Sequence, residues 1–584
     1  MAGSASSPST SVNMQRNGSE KNYLKTECVV LGGGLAGCAA ALELADAGKN
    51  VDLFVKGRIA RDSNSYYIAG GLAAVATQEG KPISGDSFGS HFRETIQAGK
   101  HLNDVRVVRS CVERFYPDVV QWLVEKGVRF DRARGTRAYD LHREGGHSTN
   151  RIFHVRDTTG ISIMSVLVQK VLSHPHIRVH EEYVAIDLIT KNKLKRTRGL
   201  DACLGVYLYD VKSDRVLTVA CHGVFVATGG LGKVFLYTTN PEVATGDGFA
   251  MCYRAGLPLA NMEFVQFHPS VFYDETAHDE GERRFLLTEA LRGAGAILKL
   301  RAGDTEDFVL RHHPLGSNAT RDVVTRAQDI EMRRHGLKHL WLDCRSIGQR
   351  RLKRDFKSSY EFCKSHGYDM AKQPIPIIYA AHYSNGGVLA GPSGETAMRG
   401  CYVIGETAYS GLHGATRLAS NSASECVLYG RLAALHFLRS RLADHEVLGI
   451  PLWNVGEATS LRDKTTVSYY WDTVRRTMSG LCGVSRNEER LAAAKEVLMA
   501  IRKNIHEFYW HYRVSRDFLE ARNIADVAGI IIESALMRKE SRACHFREDY
   551  RVKNDRHYRR LTLVRRSRPI ALIRVDEPSH GKLS

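Results

Sequence analysis

Apolar runs and glycine turns alternate near the N-terminus in a pattern that predicts a strand, a helix and a second strand. Residues 29–31 form a short apolar run that ends in glycines. Residues 39–47 then have the composition of a helix, which Gly48 ends, and residues 51–55 are apolar again. A strand, a helix and a parallel strand in this order are typical of the first unit of a doubly wound α/β domain.

The turn after the first predicted strand places Gly32, Gly34 and Gly37 at G-x-G-x-x-G spacing. In such a turn the first glycine allows the tight bend, the second lets the backbone approach a pyrophosphate, and the third lets helix and strand pack closely. The second strand is followed by Lys56 instead of the Asp or Glu that usually holds an adenosine ribose. This departure argues against a plain NAD site.

Later glycine-bearing turns extend the same pattern. VFVATGG at residues 224–230 is a buried strand with a glycine turn, and TGDG at 245–248 precedes a helical stretch. Gly405-Glu406 and Asn421-Ser422 follow far downstream. These segments make sense in series if they close on one flat, polyanionic cofactor. We therefore predict a flavin enzyme with a discontinuous, Rossmann-like nucleotide-binding domain.

A stretch near the C-terminus has helical periodicity. Apolar residues recur there at intervals of three and four: Leu491, Ala494, Leu498, Ile501, Ile505 and Phe508. A single apolar stripe of this kind predicts a helix that packs in a core, not a surface that binds a partner. No apolar run approaches the roughly 18 residues that suggest a membrane span, so we expect no membrane association.

The net charge of +18 is partly concentrated at the C-terminus, where residues 551–574 contain nine Arg or Lys and one Asp. One interpretation is a nucleic-acid patch. The other is a solvated basic face that also attracts a dianionic substrate. Because no aromatic-basic reading motif accompanies the charge, we favour the second.

Two features bear on the compartment. The twelve cysteines include no C-x-x-C pair, which argues against an iron–sulfur cluster and structural zinc and indicates reduced thiols in an intracellular protein. Residues 1–22 are rich in Ser, Asn and Gly and lack the apolar core of a secretory signal. We expect a disordered leader at residues 1–23 and a cytoplasmic protein. The alternative is an organellar protein with a Ser-rich transit peptide.

At further segments the chain resembles the L-aspartate oxidases, within the succinate dehydrogenase and fumarate reductase flavoprotein family. The matches keep their order over roughly residues 24–550, and REGGHS and MRKESR are more specific to the oxidases than to the wider family. The matching segments are SNSYYIAGGLAAV (63–75), REGGHS (143–148), TTNPEVATGDG (238–248), ANMEFVQFHP (260–269), LLTEALRG (286–293), AAHYSNGGV (380–388), GLHGATRLASNSASEC (411–426), RVSRDFLEARN (513–523) and MRKESRACHF (537–546).

The expected architecture is α/β plus α. A discontinuous FAD-binding domain would take residues 24–260 and 384–440. An α+β capping domain would take residues 261–383, and a C-terminal helical bundle residues 441–550. Residues 551–584 would follow as a basic tail.

The resemblance also implies how FAD is held. Succinate dehydrogenases carry a histidine near position 64 that bonds covalently to the flavin; Asn64 cannot do this, so we expect FAD to bind noncovalently. Lys56, in place of the usual acid, looks like a feature of this family. The implied cofactor-binding residues are Gly32, Gly33, Gly34, Leu35, Ala36, Gly37, Lys56, Asn64, Ser65, Tyr66, Tyr67, Ile68, Ala69, Gly70, Gly71, Asp247, Glu406, Ser422 and Ala423.

Three basic residues, His268, His382 and Arg417, suit a four-carbon dicarboxylate, because a planar arginine can bind a carboxylate through two hydrogen bonds. The resemblance implies that they clamp the substrate carboxylates and that Arg321 is the acid/base arginine. Each has a structural alternative when taken singly. A histidine before proline is often structural, and Arg321 could be an ion-pair partner at a helix N-terminus.

Glu144 matches the oxidase residue that faces the substrate amino group. A carboxylate there recognises an ammonium and repels a further carboxylate. The alternative is a salt bridge with Arg143 or Arg151. Residues expected to line the same pocket are Gln266, Thr288 and Arg292.

The implied reaction is the FAD-dependent oxidation of L-aspartate to iminoaspartate. The electron acceptor would be oxygen, giving hydrogen peroxide, or fumarate. The reaction would be the first step of NAD biosynthesis through quinolinate, with channelling to quinolinate synthase as a further expectation. The alternatives are a soluble fumarate reductase or succinate-oxidising flavoprotein and, from another class, a basic nucleic-acid-binding or structural protein on a flavin fold.

Two positions depart from the family pattern. Ala69 stands where a Gln near the flavin ring is usual, so a hydrogen bond to the ring is lost or replaced by backbone. Ala294 stands where fumarate reductases have a Glu that helps deliver protons. Since alanine cannot relay a proton, this departure weakens the fumarate-reductase alternative more than the oxidase.

Overall fold

The nucleotide-binding sheet is built from distant parts of the chain. The computed structural model describes residues 22–78, 80–83, 85–274, 283–440, 449–461 and 465–575, so nearly all of the predicted leader lies outside the described residues. Five parallel strands form the sheet. In spatial order they are Cys401–Val403, Gly223–Val226, Cys28–Leu31, Val51–Val55 and Ile177–Glu181. The strand at 401–403 makes the domain discontinuous, as predicted.

Two helices pack against each other beside this sheet. The first, Leu35–Asp46, begins four residues before the predicted helix at 39–47, directly after the glycine turn. Its apolar residues are buried almost without exception. The second, Asn421–Arg439, brings residues of the distant Asn-Ser segment to the same place, and Gly430 lies where a Cβ would be 2.5 Å from the Ala36 carbonyl oxygen. This close contact holds the middle of the second helix against the start of the first helix.

An additional sheet extends the nucleotide-binding domain. Its strands Tyr183–Thr190, Cys203–Asp210 and Arg215–Ala220 are antiparallel, and Tyr23–Lys25 adds to one edge in parallel. The buried side chains of this sheet join those of the parallel sheet in one core.

The cap is an α+β unit with its own core. Its antiparallel sheet contains Val265–Phe272, Ile375–Ser384, Leu340–Asp343 and Ile297–Lys299 in that order. The helices Arg321–His335, Gln349–Asp355 and Lys357–Ser365 cover it. Phe267 pairs with Ala381 across the first two strands. The next residue on each strand, His268 and His382, therefore lies close to the other, with 5.4 Å between the ring centres.

The C-terminal region is helical, as predicted. Its helices are Thr465–Leu481, Glu488–His511 and Arg516–Met537. The apolar stripe on the middle helix is buried from Leu491 to Ile505, and Phe508 is partly buried against the same core. In the described part of the chain no helix is both long and apolar enough to cross a membrane.

The predicted basic tail is not a free extension as far as residue 574. Arg560–Val564 and Ala571–Arg574 form a hairpin that pairs with Leu259–Ala260 in a five-stranded sheet. Leu561 and Leu563 are buried against the nucleotide-binding domain. Residues 561–564 are buried and lie between Arg560 and Arg565, which explains how a strongly basic stretch still contains a buried strand.

Candidate active site

One cavity of about 1240 Å³ runs between the nucleotide-binding domain and the cap. Almost all of the sequence-predicted site residues line it. The two that do not are Gly37 and Gln266. The cavity therefore gathers the glycine turn, the 64–71 segment and the histidine and arginine residues from sites far apart in the chain.

The glycine turn is shaped to let backbone approach backbone. Gly32 has φ +112°, and a Cβ there would lie 2.2 Å from the Ala227 carbonyl oxygen. A Cβ on Gly37 would lie 1.8 Å from the Gly32 carbonyl oxygen, so Gly37 serves packing and not the cavity wall. The helix that follows has no side-chain cap at Gly34. Its N-terminal amides are suited to a pyrophosphate.

Lys56 lies in a buried polar cluster after the second strand. Its Nζ is 2.8 Å from Asp247 Oδ2 and 3.0 Å from Glu520 Oε1. Asn523 also donates to Asp247, at 2.8 Å. Burial alone would raise the pKa of Asp247, but Lys56 and the hydrogen bonds from Thr245 and Asn523 together lower it. The sequence did not reveal Glu520, because it comes from the C-terminal helical region.

The 64–71 segment begins with a short 3-10 turn, Asn64–Tyr67, which Ser63 caps by accepting from the Tyr66 amide. The Asn64 side-chain amide donates to Glu406 Oε2 at 3.2 Å, and the other Glu406 oxygen accepts from the Ser384 amide at 3.0 Å. Burial raises the pKa of Glu406 to about 7. An asparagine has no ring nitrogen to attack a flavin.

His382 and His268 are neutral in this cavity, and their hydrogen bonds define which ring nitrogen carries the proton. Because a guanidinium has no acceptor, His382 Nε2 must accept from Arg417 Nη2, 3.1 Å away, and its protonated Nδ1 donates to Thr239 Oγ1 at 2.8 Å. His268 Nδ1 accepts from the Ser270 amide at 3.2 Å, which leaves the proton on Nε2. Burial, helped by nearby arginines, lowers the pKa of both rings well below the usual value.

Arg417 is held in a fixed orientation. Nη1 donates to Ser422 Oγ at 2.6 Å, Nη2 donates to Gln266 Oε1 at 3.3 Å, and the guanidinium lies 4.5 Å from the centre of the Tyr383 ring. Gln266 thus supports Arg417 from outside the cavity. Arg417 Nε is buried and has no hydrogen-bond partner among the described residues. A buried unpaired donor of this kind suits a carboxylate.

Glu289, a carboxylate that is not among the predicted site residues, bridges two of the cavity arginines. Glu289 Oε2 accepts from Arg321 Nε at 2.6 Å, and its Oε1 accepts from Arg292 Nη2 at 3.0 Å. Burial alone would raise the pKa of Glu289, but the positive charges of Arg321 and Arg292 outweigh burial, so the pKa is lower than usual. The signal was in the sequence, because Glu289 directly follows Thr288.

This chain of charges changes the significance of Ala294. Alanine at position 294 removes one carboxylate that could carry a proton, but another carboxylate, Glu289, lies between the two arginines. Arg321 is also an ion-pair partner at a helix N-terminus, the structural alternative, and it lines the cavity at the same time.

Glu144 lies at the cavity wall beside the 64–71 segment. Ser420 Oγ donates to its Oε2 at 2.5 Å, and a Cβ on Gly70 would be 1.9 Å from its Oε1. Arg151 pairs instead with Asp86 and Glu94. Within the described residues no ion pair joins Glu144 to Arg143 or Arg151, so the salt-bridge alternative is not what the structure shows.

Comparison with known proteins defines the class first. Residues 27–423 match the family described as FAD binding domain, and residues 471–576 match the fumarate reductase flavoprotein C-terminal family. The structure of E. coli quinol fumarate reductase FrdA has a TM-score of 0.81 and 26% identity, with 95% of this chain and 97% of that chain covered. The fold and cavity are therefore those of an FAD-containing flavoprotein, as expected from the sequence.

Relatives that align over most of their length identify the family more specifically. L-aspartate oxidase 1 of Ralstonia nicotianae is 40% identical over 96% of this chain and 99% of its own. L-aspartate oxidase of Pseudomonas aeruginosa is 40% identical over 90% and 96%. The chloroplastic L-aspartate oxidase of Oryza sativa is 36% identical over 89% and 81%. The chain belongs to the L-aspartate oxidases, which confirms the resemblance, and its cofactor is noncovalently bound FAD.

Proposed function

We propose that the chain oxidises L-aspartate to iminoaspartate, and that oxygen or fumarate accepts the electrons. The observation that carries the proposal is the composition of the cavity beyond the FAD segments. Arg321, Arg417 and His268 are hydrogen-bond donors there, and Glu144 is a carboxylate on the wall. His382 accepts from Arg417 and so orients that donor. Donors for two carboxylates and an acceptor for one ammonium match an amino dicarboxylate.

The arginines and His268 bind the substrate, and His382 orients Arg417. Arg417 offers its unpaired Nε, and the neutral His268 offers the proton on Nε2. Because the histidines stay neutral, the positive charge of the site resides on the arginines. Two substrate carboxylates balance it, while Glu144 attracts the ammonium and favours aspartate over succinate.

The oxidation removes a hydride from Cα and one proton from the substrate nitrogen, and the electron pair left on nitrogen forms the C=N bond. FAD, when bound, supplies the acceptor for the hydride. Arg321, Glu289 and Arg292 form a hydrogen-bonded chain along which a proton can move. Because the arginine pKa lies far above neutral, Arg321 acts as a relay and charge stabiliser, not as a free base.

Fumarate reduction is the second candidate. The Arg321–Glu289–Arg292 chain favours it, since a proton must be delivered to a fumarate carbon.

With oxygen as acceptor the product would be hydrogen peroxide. We place the reaction first in NAD biosynthesis, with quinolinate synthase as the consumer of iminoaspartate and channelling as an added proposal, in the cytoplasm or in an organelle.

Glu144→Gln tests the assignment. We expect kcat/KM for L-aspartate to fall, because the charge that attracts the ammonium is lost. The decrease should correspond to a loss of about 1–3 kcal/mol of transition-state stabilisation. Fumarate reduction by the chemically reduced enzyme should be largely retained, since fumarate has no amine. Peroxide release and fumarate-dependent flavin reoxidation are the measurements.

The matched control is Glu113→Gln, an exposed carboxylate outside the cavity, which should change neither reaction. Equal losses on both substrates after Glu144→Gln would mean that Glu144 supports only the local fold. Absence of aspartate-dependent peroxide release and of aspartate-dependent fumarate reduction in the unmodified enzyme would refute the proposed function itself.

A further inference from the structure

We propose that Ser420 is a positioning residue that aims Glu144 and thereby sets the preference for an amino dicarboxylate. This inference rests on the proposed function, because it concerns the same site. Ser420 directly precedes the helix Asn421–Arg439, two residues before Ser422, which supports Arg417. Ser420 therefore connects the part of the cavity wall that carries Glu144 to the part that carries Arg417.

The backbone of Ser420 is strained. Its φ of +59° and ψ of −2° lie in the left-handed region, which residues with a Cβ seldom adopt. The conformation is held from two sides: the Ser420 carbonyl accepts from the Ala73 amide at 3.2 Å, and Ser420 Oγ lies 3.4 Å from the Gly71 amide. Glycine would suit this backbone better, so the serine side chain needs a separate explanation.

The hydroxyl supplies that explanation. Ser420 Oγ donates to Glu144 Oε2 at 2.5 Å, the one hydrogen bond to this carboxylate among the described residues. Oε1 lies against Gly70, at a place that a Cβ would occupy. One carboxylate oxygen is thus fixed by Ser420, and the other remains for a cationic ligand.

Without this hydrogen bond the carboxylate has another attraction. Both Arg321 and Arg417 lie close enough to interact electrostatically with Glu144. If Glu144 turned towards them, it would compete with the substrate carboxylates and move away from the substrate ammonium. Ser420 therefore keeps the negative and positive parts of the site separate.

The test compares Ser420→Gly with Ser420→Asn in the holoenzyme. Glycine removes the hydroxyl and suits the left-handed backbone, whereas asparagine tolerates that backbone and keeps a donor. We expect Ser420→Gly to raise KM for L-aspartate roughly tenfold, as for a lost hydrogen bond to a charged group. Fumarate reduction by the reduced enzyme should suffer a smaller loss, because fumarate has no ammonium that depends on Glu144, and FAD content should be unchanged. Ser420→Asn should recover much of the KM for L-aspartate.

A double variant decides whether Ser420 acts through Glu144. In a Glu144→Gln background, Ser420→Gly should add little further loss on aspartate. Full additivity, or equal losses on aspartate and fumarate, would overturn the inference. If Glu144→Gln changes substrate preference and Ser420→Gly does not, the Ser420 inference alone fails. If Glu144→Gln itself leaves the preference unchanged, the proposed role of Glu144 fails, and the Ser420 inference fails with it.

Discussion

The two ends of the cavity are built in different ways. At the cofactor end the wall is largely backbone: the turn from Gly32 to Gly34, the N-terminus of the first helix and the 64–71 segment. At the substrate end the wall is made of charged and polar side chains from five separate segments, which contribute Glu144, His268, Arg321, His382 and Arg417.

This difference determines what each end tolerates. A backbone wall depends on the absence of side-chain atoms, so adding a single carbon is costly there. A side-chain wall depends on mutual support between charges, and its arginines are held by Ser422, Gln266 and Glu289. Loss of one donor at this end weakens the binding of a ligand but leaves the protein folded.

The largest effect is expected from Gly32→Ala at the cofactor end. The added Cβ would meet the Ala227 carbonyl oxygen at 2.2 Å, on a backbone with φ +112°. We expect loss of FAD and a fall of more than about 3 kcal/mol in the free energy of unfolding. The flavin-to-protein ratio and the urea midpoint measure these two results.

Gly48→Ala is the matched control, because Gly48 also has positive φ, +80°, but open space where a Cβ would go. This variant should lose only about 1–2 kcal/mol and keep its FAD. If both variants behave alike, backbone conformation and not close approach explains Gly32, and the contrast between the two ends weakens.

The same contrast explains what the sequence could predict. The strand, glycine turn and helix are local in the chain, so spacing revealed them, with an error of four residues at the start of the helix. The contacts of Glu289 with Arg321 and of Ser420 with Glu144 join residues 32 and 276 positions apart. Such contacts depend on how domains pack, and no local pattern encodes them.

The hairpin near the C-terminus and Glu520 were missed for related reasons. Five of residues 560–574 are arginines, and their charge obscured the largely apolar stretch at residues 561–564. Glu520 is one acid among many on a helix, and only the packing of that helix against the nucleotide-binding domain brings it to Lys56.

At the substrate end, Arg417→Lys is expected to have an intermediate effect. Lysine keeps the charge but loses the planar group that reaches Ser422, His382 and a ligand together. Binding of succinate, used as a substrate analogue, should weaken by about 1.5–3 kcal/mol, with FAD retained. Spectral titration of the flavin with succinate measures it.

Arg431→Lys provides the comparison, since Arg431 pairs with Glu43 away from the cavity. It should leave the dissociation constant for succinate unchanged. An Arg417→Lys enzyme that binds succinate as tightly as the unmodified enzyme would show that Arg417 is not a carboxylate ligand.

The smallest effect is expected at Glu406, where the two ends meet. Burial raises its pKa to about 7 in the folded protein, from the ordinary value of 4.5. Between these values the folded state holds a proton that the unfolded state has released, so this contribution to stability is complete below pH 4.5 and is lost as pH rises through 7. From pH 6 to pH 8 the loss should be about 1.4 kcal/mol.

Glu406→Gln removes this titration while keeping a side chain that can accept from the Ser384 amide. Urea unfolding of the FAD-free protein at pH 6 and pH 8 should therefore show a smaller decrease for the variant than for the unmodified protein. Parallel changes in the two proteins would mean that Glu406 does not titrate between pH 6 and pH 8, which contradicts a pKa raised to about 7. If Glu406 is ionised throughout this range, the charged wall of the substrate end extends to Glu406, and the division between the two walls would have to be moved towards the glycine turn.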